Sequence, residues 1–155
     1  MVEKIKLTAI FSVSPLELYN AWLESKKHSK MTGDKAQIDP KIGGLFTAGD
    51  GYISGKNLEL IPGKRILQAW RTTEFPPDSP DSKLELLFEP NEIGTKLTLI
   101  QTEIPDRQGD YYKDGWKEFY FDPMKKVLNK KKTPKTTTNK SKKTSSKKIT
   151  KKSND

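Results

Sequence analysis

Ile5, Leu7, Ala9 and Phe11 alternate with Lys4, Lys6, Thr8 and Ile10. A period of two with one apolar side predicts a half-buried strand. Ser14-Pro15-Leu16-Glu17 comes next. Ser14 suits a helix N-cap, Pro15 its first position, and Glu17 the third position of a capping box. Leu18, Tyr19, Trp22 and Leu23 then share one helical face. The pattern predicts a helix ending near Glu24, with a short polar helix or loop running on through Met31-Thr32-Gly33.

From Lys35 to Thr102 the period returns to two. Turn signals stand at Gly43-Gly44, Gly49-Asp50-Gly51, Pro62-Gly63, Phe75-Pro76-Pro77 and Asn91-Glu92-Ile93-Gly94. Strands are predicted between them over Leu45–Thr47, Tyr52–Ile61, Arg65–Thr73, Lys83–Glu89 and Thr95–Thr102. Short turns between consecutive strands make an antiparallel meander with one buried face. From about Asp114 to Leu128 the spacing is helical again. Trp116, Phe119, Tyr120, Met124, Val127 and Leu128 form an apolar face, and a kink is expected at Pro123 because proline lacks the N–H and crowds the preceding turn. The sum is a two-layer α+β domain over residues 1–129, a curved antiparallel sheet wrapped around a long C-terminal helix.

Beyond Asn129 the pattern stops. Of the 26 residues from Lys130 to Asp155, 21 are Lys, Ser or Thr. Such a segment cannot bury enough apolar surface to offset its ordering entropy, and it reads as a disordered lysine-rich tail. It also changes the meaning of the charge. The chain carries +9, and the tail, with 11 Lys and one Asp, carries +10, so the body is left at −1. The high pI describes the tail. A tail of this kind is expected to bind polyanions without sequence preference through Lys130, Lys131, Lys132, Lys142, Lys143, Lys147 and Lys148.

Several chemistries drop out by counting. The absence of cysteine excludes disulfides, thiolate metal sites and cysteine nucleophiles. His28 is the only histidine, which rules out paired-histidine zinc motifs. Flanked by Lys27 and Ser29, with no nucleophile-elbow sequence nearby, it reads as a plain surface residue. No glycine-rich run matches a phosphate loop. The acids Glu59, Glu74, Glu85, Glu89, Glu103 and Asp106 are scattered and read as solvated faces and loops. Neither a metal nor a cofactor is expected. The opening residues lack the apolar run of a signal peptide, and no window approaches the roughly 18 apolar residues of a membrane span. A cytoplasmic protein is the expectation.

The aromatic residues fall on most of the predicted elements and leave two readings open. One is a plain core, since aromatics dominate buried area. The other is a cavity between helix and sheet that holds an apolar ligand, with Trp22, Phe46, Tyr52, Trp70, Phe88, Trp116, Tyr120 and Met124 as its lining.

One ordered series of short motifs bears on function. It runs Gly43-Gly44-Leu45-Phe46, Gly51-Tyr52-Ile53-Ser54-Gly55, Leu58-Glu59-Leu60 before Pro62, Ile66, Trp70-Arg71 and Phe75-Pro76. It continues through Leu84-Glu85-Leu86, Gly94-Thr95-Lys96-Leu97-Thr98-Leu99, Gln101, Ile104-Pro105 and Gly115-Trp116 to Phe119-Tyr120-Phe121. In this order and spacing the stretch from Gly43 to Lys126 resembles the C-terminal domain of the heat-shock-protein-90 ATPase activators. The strand and capped helix from Ile5 to Leu23 are similar to the wider START-like (SRPBCC) superfamily. The resemblance implies a helix-grip fold and a non-enzymatic, co-chaperone-like regulator that binds a heat-shock-protein-90-type chaperone through its body. Full-length eukaryotic members add an N-terminal domain that contributes much of the ATPase stimulation, so weak or no stimulation is expected of this chain. The alternatives are a small apolar-ligand carrier and a tail-mediated nucleic-acid-associated protein.

Overall fold

In this computed structural model the described residues are 2–129, and the lysine-rich segment from 130 lies outside them. The first strand, β1 (Glu3–Phe11), buries Ile5, Ala9 and Phe11 on one side. Ser14 caps α1 (Pro15–Leu23), its Oγ accepting the Glu17 N–H at 3.1 Å, with Pro15 in the first turn. The polar stretch that follows is a true helix, α2 (Ser25–Thr32), closed by Gly33 in the left-handed region at φ 83°.

The sheet contains β2 (Gln37–Ile38), β3 (Leu45–Ala48), β4 (Ile53–Ile61), β5 (Arg65–Thr72), β6 (Ser82–Pro90) and β7 (Thr95–Ile104). With β1 it forms seven antiparallel strands in the order β1-β7-β6-β5-β4-β3-β2. Every neighbouring pair from β2 to β7 is consecutive in sequence, as a meander requires. The exception is β1, which crosses over to pair with β7, setting Leu7 against Leu99 and Ala9 against Leu97. On β6 and β7, Leu86 faces Leu99 and Phe88 faces Leu97. Leu84, Leu86, Leu97, Leu99 and Ile66 are wholly buried, in the same hydrophobic core as Trp116, Tyr120, Phe121, Met124 and Leu128 of the C-terminal helix. On the other face the charges pair. Arg65 bridges Glu59 and Glu85, and Arg71 reaches Asp81 at 2.9 Å.

Gly55 marks a close approach within the sheet. A Cβ built there would collide with the Ala69 carbonyl oxygen and stand 2.6 Å from the Phe46 ring. Neither backbone nor packed ring yields cheaply. Gly55→Ala is therefore expected to destabilise the domain by about 1–3 kcal/mol through overpacking, read as a lower urea midpoint with an unchanged slope.

The C-terminal helix differs from the sequence expectation. It starts earlier, with α3 (Gly109–Gly115), passes through a π-helical segment (Trp116–Phe121), and ends in α4 (Asp122–Asn129). The backbone stays right-handed across both junctions, and Asp122 N–H bonds to the Lys117 carbonyl five residues back. Pro123 thus falls at the second position of α4, directly after the π-helical segment, where a widened turn accommodates a residue that has no N–H to donate. The wider turn also moves the apolar face. Trp116, Tyr120, Phe121, Met124 and Leu128 point inward, whereas Phe119, expected on the buried face, is 59% exposed and Val127 is half-buried.

Candidate functional site

Residues far apart in the chain anchor α3 and the π-helical segment. The Glu3 carboxylate accepts the N–H groups of Gly109 at 2.7 Å and Arg107 at 3.0 Å, so the first strand fixes where α3 begins. At the other end the Asn129 side chain accepts from the Ser12 N–H and hydroxyl, both at 2.9 Å. Between these ties, Trp116 is buried over the sheet, and its indole N–H donates to Gln101 Oε1 at 2.8 Å. Gln101 in turn donates to Ser82 Oγ at 2.9 Å. Both β7 and β6 thus hold the indole in place.

A cavity of about 320 Å³ remains between α2, the C-terminal helix and strands β4 and β5. Its inner wall is aromatic: Trp70, Trp116, Tyr112 and Tyr120, with Tyr52, Tyr111 and Phe119 nearer the mouth. Trp70 and Trp116 have ring centroids 5.4 Å apart, and Trp116 and Tyr120 4.8 Å. The tyrosine hydroxyls are tethered. Tyr52 donates to Glu74 at 2.5 Å, with Tyr111 3.3 Å from the same carboxylate oxygen; Tyr112 shares a hydrogen bond with Thr72 at 2.6 Å. Burial, first of all, pushes Tyr52, Tyr112 and Tyr120 above the usual tyrosine range, so all three remain neutral hydroxyls at physiological pH.

His28 corrects the sequence reading. It is a buried residue, 3% exposed, rather than a surface one. Its Nδ1 lies 2.7 Å from the Trp22 carbonyl and its Nε2 2.8 Å from the Tyr120 hydroxyl. A carbonyl only accepts, so Nδ1 carries the proton and Nε2 accepts from Tyr120 O–H. With both nitrogens engaged behind the cavity wall, the ring orients Tyr120 and presents no free base. The signal was present in spacing alone: His28 and Met31 are three apart on α2, and both are buried among lysines and serines.

Of the eight residues expected as lining, Tyr52, Trp70, Trp116 and Tyr120 face the cavity. Trp22, Phe46, Phe88 and Met124 are buried elsewhere in the core. Trp22 backs the wall, 5.2 Å from the Tyr120 ring, while Phe88 packs edge-on against Tyr19. Tyr111, Tyr112, Asp34, Asp114 and Glu118 belong to the lining and were not anticipated. The helix begins five residues ahead of its predicted start, at a backbone turn that Glu3 caps from across the domain. No local pattern announces it. Among the described residues no group of three or more His, Cys, Asp or Glu is placed to hold a metal ion. No helix among them is long and apolar enough to cross a membrane.

Comparison with known proteins bears on this fold and its C-terminal helix together. The model of the family described as "Activator of Hsp90 ATPase homolog 1-like protein" matches residues 12–129, from the end of β1 to the end of α4. The chain belongs to this family. Among curated Hsp90-activator relatives, the human "Activator of 90 kDa heat shock protein ATPase homolog 1" is 29% identical over 125 residues, 81% of this chain. A Dictyostelium discoideum "Activator of 90 kDa heat shock protein ATPase homolog" is 28% identical over 126 residues. The matched stretch spans 37% of the human relative and 33% of the Dictyostelium one. Among solved structures, an HSP90 activator from Plasmodium falciparum superposes with a TM-score of 0.71 at 25% identity, covering 83% of this chain and 96% of that one. A protein from Chromobacterium violaceum superposes at 0.66, also at 25% identity, over 81% of this chain and 96% of its own. The helix-grip fold and the Hsp90-activator kinship implied by the motif series both stand.

Proposed function

We propose that this chain is a non-enzymatic, co-chaperone-like regulator that binds an Hsp90-type chaperone in the cytoplasm through its folded body, residues 1–129. The observation that carries the reading is the family match over residues 12–129, joined to relatives that are named as activators of the Hsp90 ATPase. The catalytic machinery of an ATPase would reside in the partner. The body is near neutral and offers little long-range steering, so a modest affinity follows, on the order of micromolar, as for transient regulatory contacts.

Titration calorimetry of the full chain against a heat-shock-protein-90-type chaperone tests this reading, with ATP turnover followed in parallel. A saturable heat at micromolar concentrations is expected, with the same affinity when the chain stops at Asn129. An absence of binding at hundreds of micromolar would refute it. A loss of binding on removing residues 130–155 would move the function from the body to the lysine-rich segment.

A further inference from the structure

The cavity wall is aromatic, but its mouth is acidic. Asp34, Asp114 and Glu118 line it, and no lysine or arginine does. Lys35, Lys113 and Lys117, though adjacent in sequence, are outside the lining. The three carboxylates come from two separate elements, the turn after α2 and the C-terminal helix, so their convergence belongs to the tertiary fold. None of them has an ion-pair or side-chain hydrogen-bond partner among the described residues. By contrast, Glu59, Glu85, Asp81 and Glu103 elsewhere on the domain are all paired.

Asp34 is close enough to the buried end of the cavity for its charge to act on the Tyr120 hydroxyl, helping to hold it above the usual tyrosine range. Phe119 and Tyr111, 59% and 56% exposed, flank the opening with much of their apolar surface uncovered. Aromatic faces with unpaired carboxylates beside them are the chemistry that recognises an organic cation: the rings attract it through their quadrupoles, and the carboxylates supply the counter-charge. The volume of about 320 Å³ is at the lower end of the range for ligand sites, roughly 300–1,000 Å³, which limits the guest to a small molecule.

We propose that this cavity binds a small organic ammonium ion with an apolar or aromatic body, the body among Trp70, Trp116 and Tyr120 and the charged head at Asp34, Asp114 and Glu118. The inference does not depend on the chaperone reading. Neutral apolar guests would gain only the ring contacts, and carboxylate guests would be repelled at the mouth.

The test uses three probes of matched body: phenethylammonium, 2-phenylethanol and 3-phenylpropanoate. Each is titrated into the full chain, following tryptophan fluorescence, since Trp70 and Trp116 form the wall. The ammonium ion is expected to bind about ten-fold more tightly than the alcohol or better, and the carboxylate most weakly. Raising salt should weaken the ammonium alone. Asp114→Asn and Glu118→Gln together, at two exposed positions, should leave the melting temperature unchanged. They should weaken the ammonium several-fold toward the affinity of the alcohol, with Asp34 left as the one remaining counter-charge. Equal binding of alcohol and ammonium, unchanged ammonium binding in the double variant, or no saturable binding of any probe would each overturn the proposal.

Discussion

Replacing Trp116 with Ala will lower the unfolding free energy by about 3–5 kcal/mol, the range for truncating a large buried aromatic. For a domain of this size that is a fall of about 10–20 °C in melting temperature. Three losses combine. The indole is 3% exposed, so its transfer energy and the space it leaves both count. It lies against Trp22, Trp70 and Tyr120, joining the first helix, the sheet and the last helix through one ring. Its N–H donates to Gln101 Oε1, and Gln101 is fully buried, so truncation strands an acceptor that water cannot reach. Trp116→Phe separates these effects: it keeps most of the ring volume and loses the donor, and should cost about 1–3 kcal/mol. Equal midpoints for wild type and Trp116→Ala in chemical denaturation would refute the role given to this side chain.

Acidification will destabilise the wild type through His28 and will spare a variant that lacks it. Burial, the larger cause, lowers the folded-state pKa of His28 below the ordinary 6.5, against a smaller opposing pull from the Trp22 carbonyl. The unfolded chain therefore binds a proton that the folded chain refuses. By linkage, stability rises with pH wherever the unfolded state holds more protons. The contribution is fully present above pH 6.5 and is lost as pH falls from there toward the folded-state pKa. Protonating Nε2 would set two donors, N–H and Tyr120 O–H, against each other across 2.8 Å, and the hydroxyl would have to turn away. His28→Phe keeps a ring without titrating. Its melting temperature should fall less than that of the wild type between about pH 7 and pH 5.5. Parallel pH profiles for the two proteins would contradict the assignment. At neutral pH, His28→Ala should cost about 2–4 kcal/mol, because the Tyr120 hydroxyl and the Trp22 carbonyl both lose a buried partner.

These two residues show the difference between what was legible in the chain and what was not. Trp116 sat in a strong helical pattern with Tyr120 and Met124, and burial followed from spacing. His28 sat among Lys26, Lys27, Ser29 and Lys30, where composition masked a two-residue inward stripe with Met31. The partners that justify its burial are the Trp22 backbone and Tyr120, which is 92 residues away. The strands were legible for a simple reason: in a meander each strand pairs with its sequence neighbour, so local alternation and turn residues carry most of the information. The last helix was legible as a helix, but its face was not. A π-helical turn ahead of Pro123 rotates Phe119 outward and Phe121 inward, and a fixed period of 3.6 misplaces both.

The amino-acid sequence alone determined the class of fold, the order of its elements, the capped first helix and the kinship with the Hsp90 activators. Each of these rests on local periodicity or on motifs in a fixed order. Tertiary structure alone decided the pairing of β1 with β7, the start of α3 under the Glu3 carboxylate, and the buried His28–Tyr120 hydrogen bond. It also brought Asp34 together with Asp114 and Glu118 at one aromatic cavity. All of these join residues some 80 to 106 positions apart. Hydrophobic patterning commits a segment to a face, but which distant polar group meets it there is settled only when the sheet closes on the helix and the remaining donors and charges must find partners.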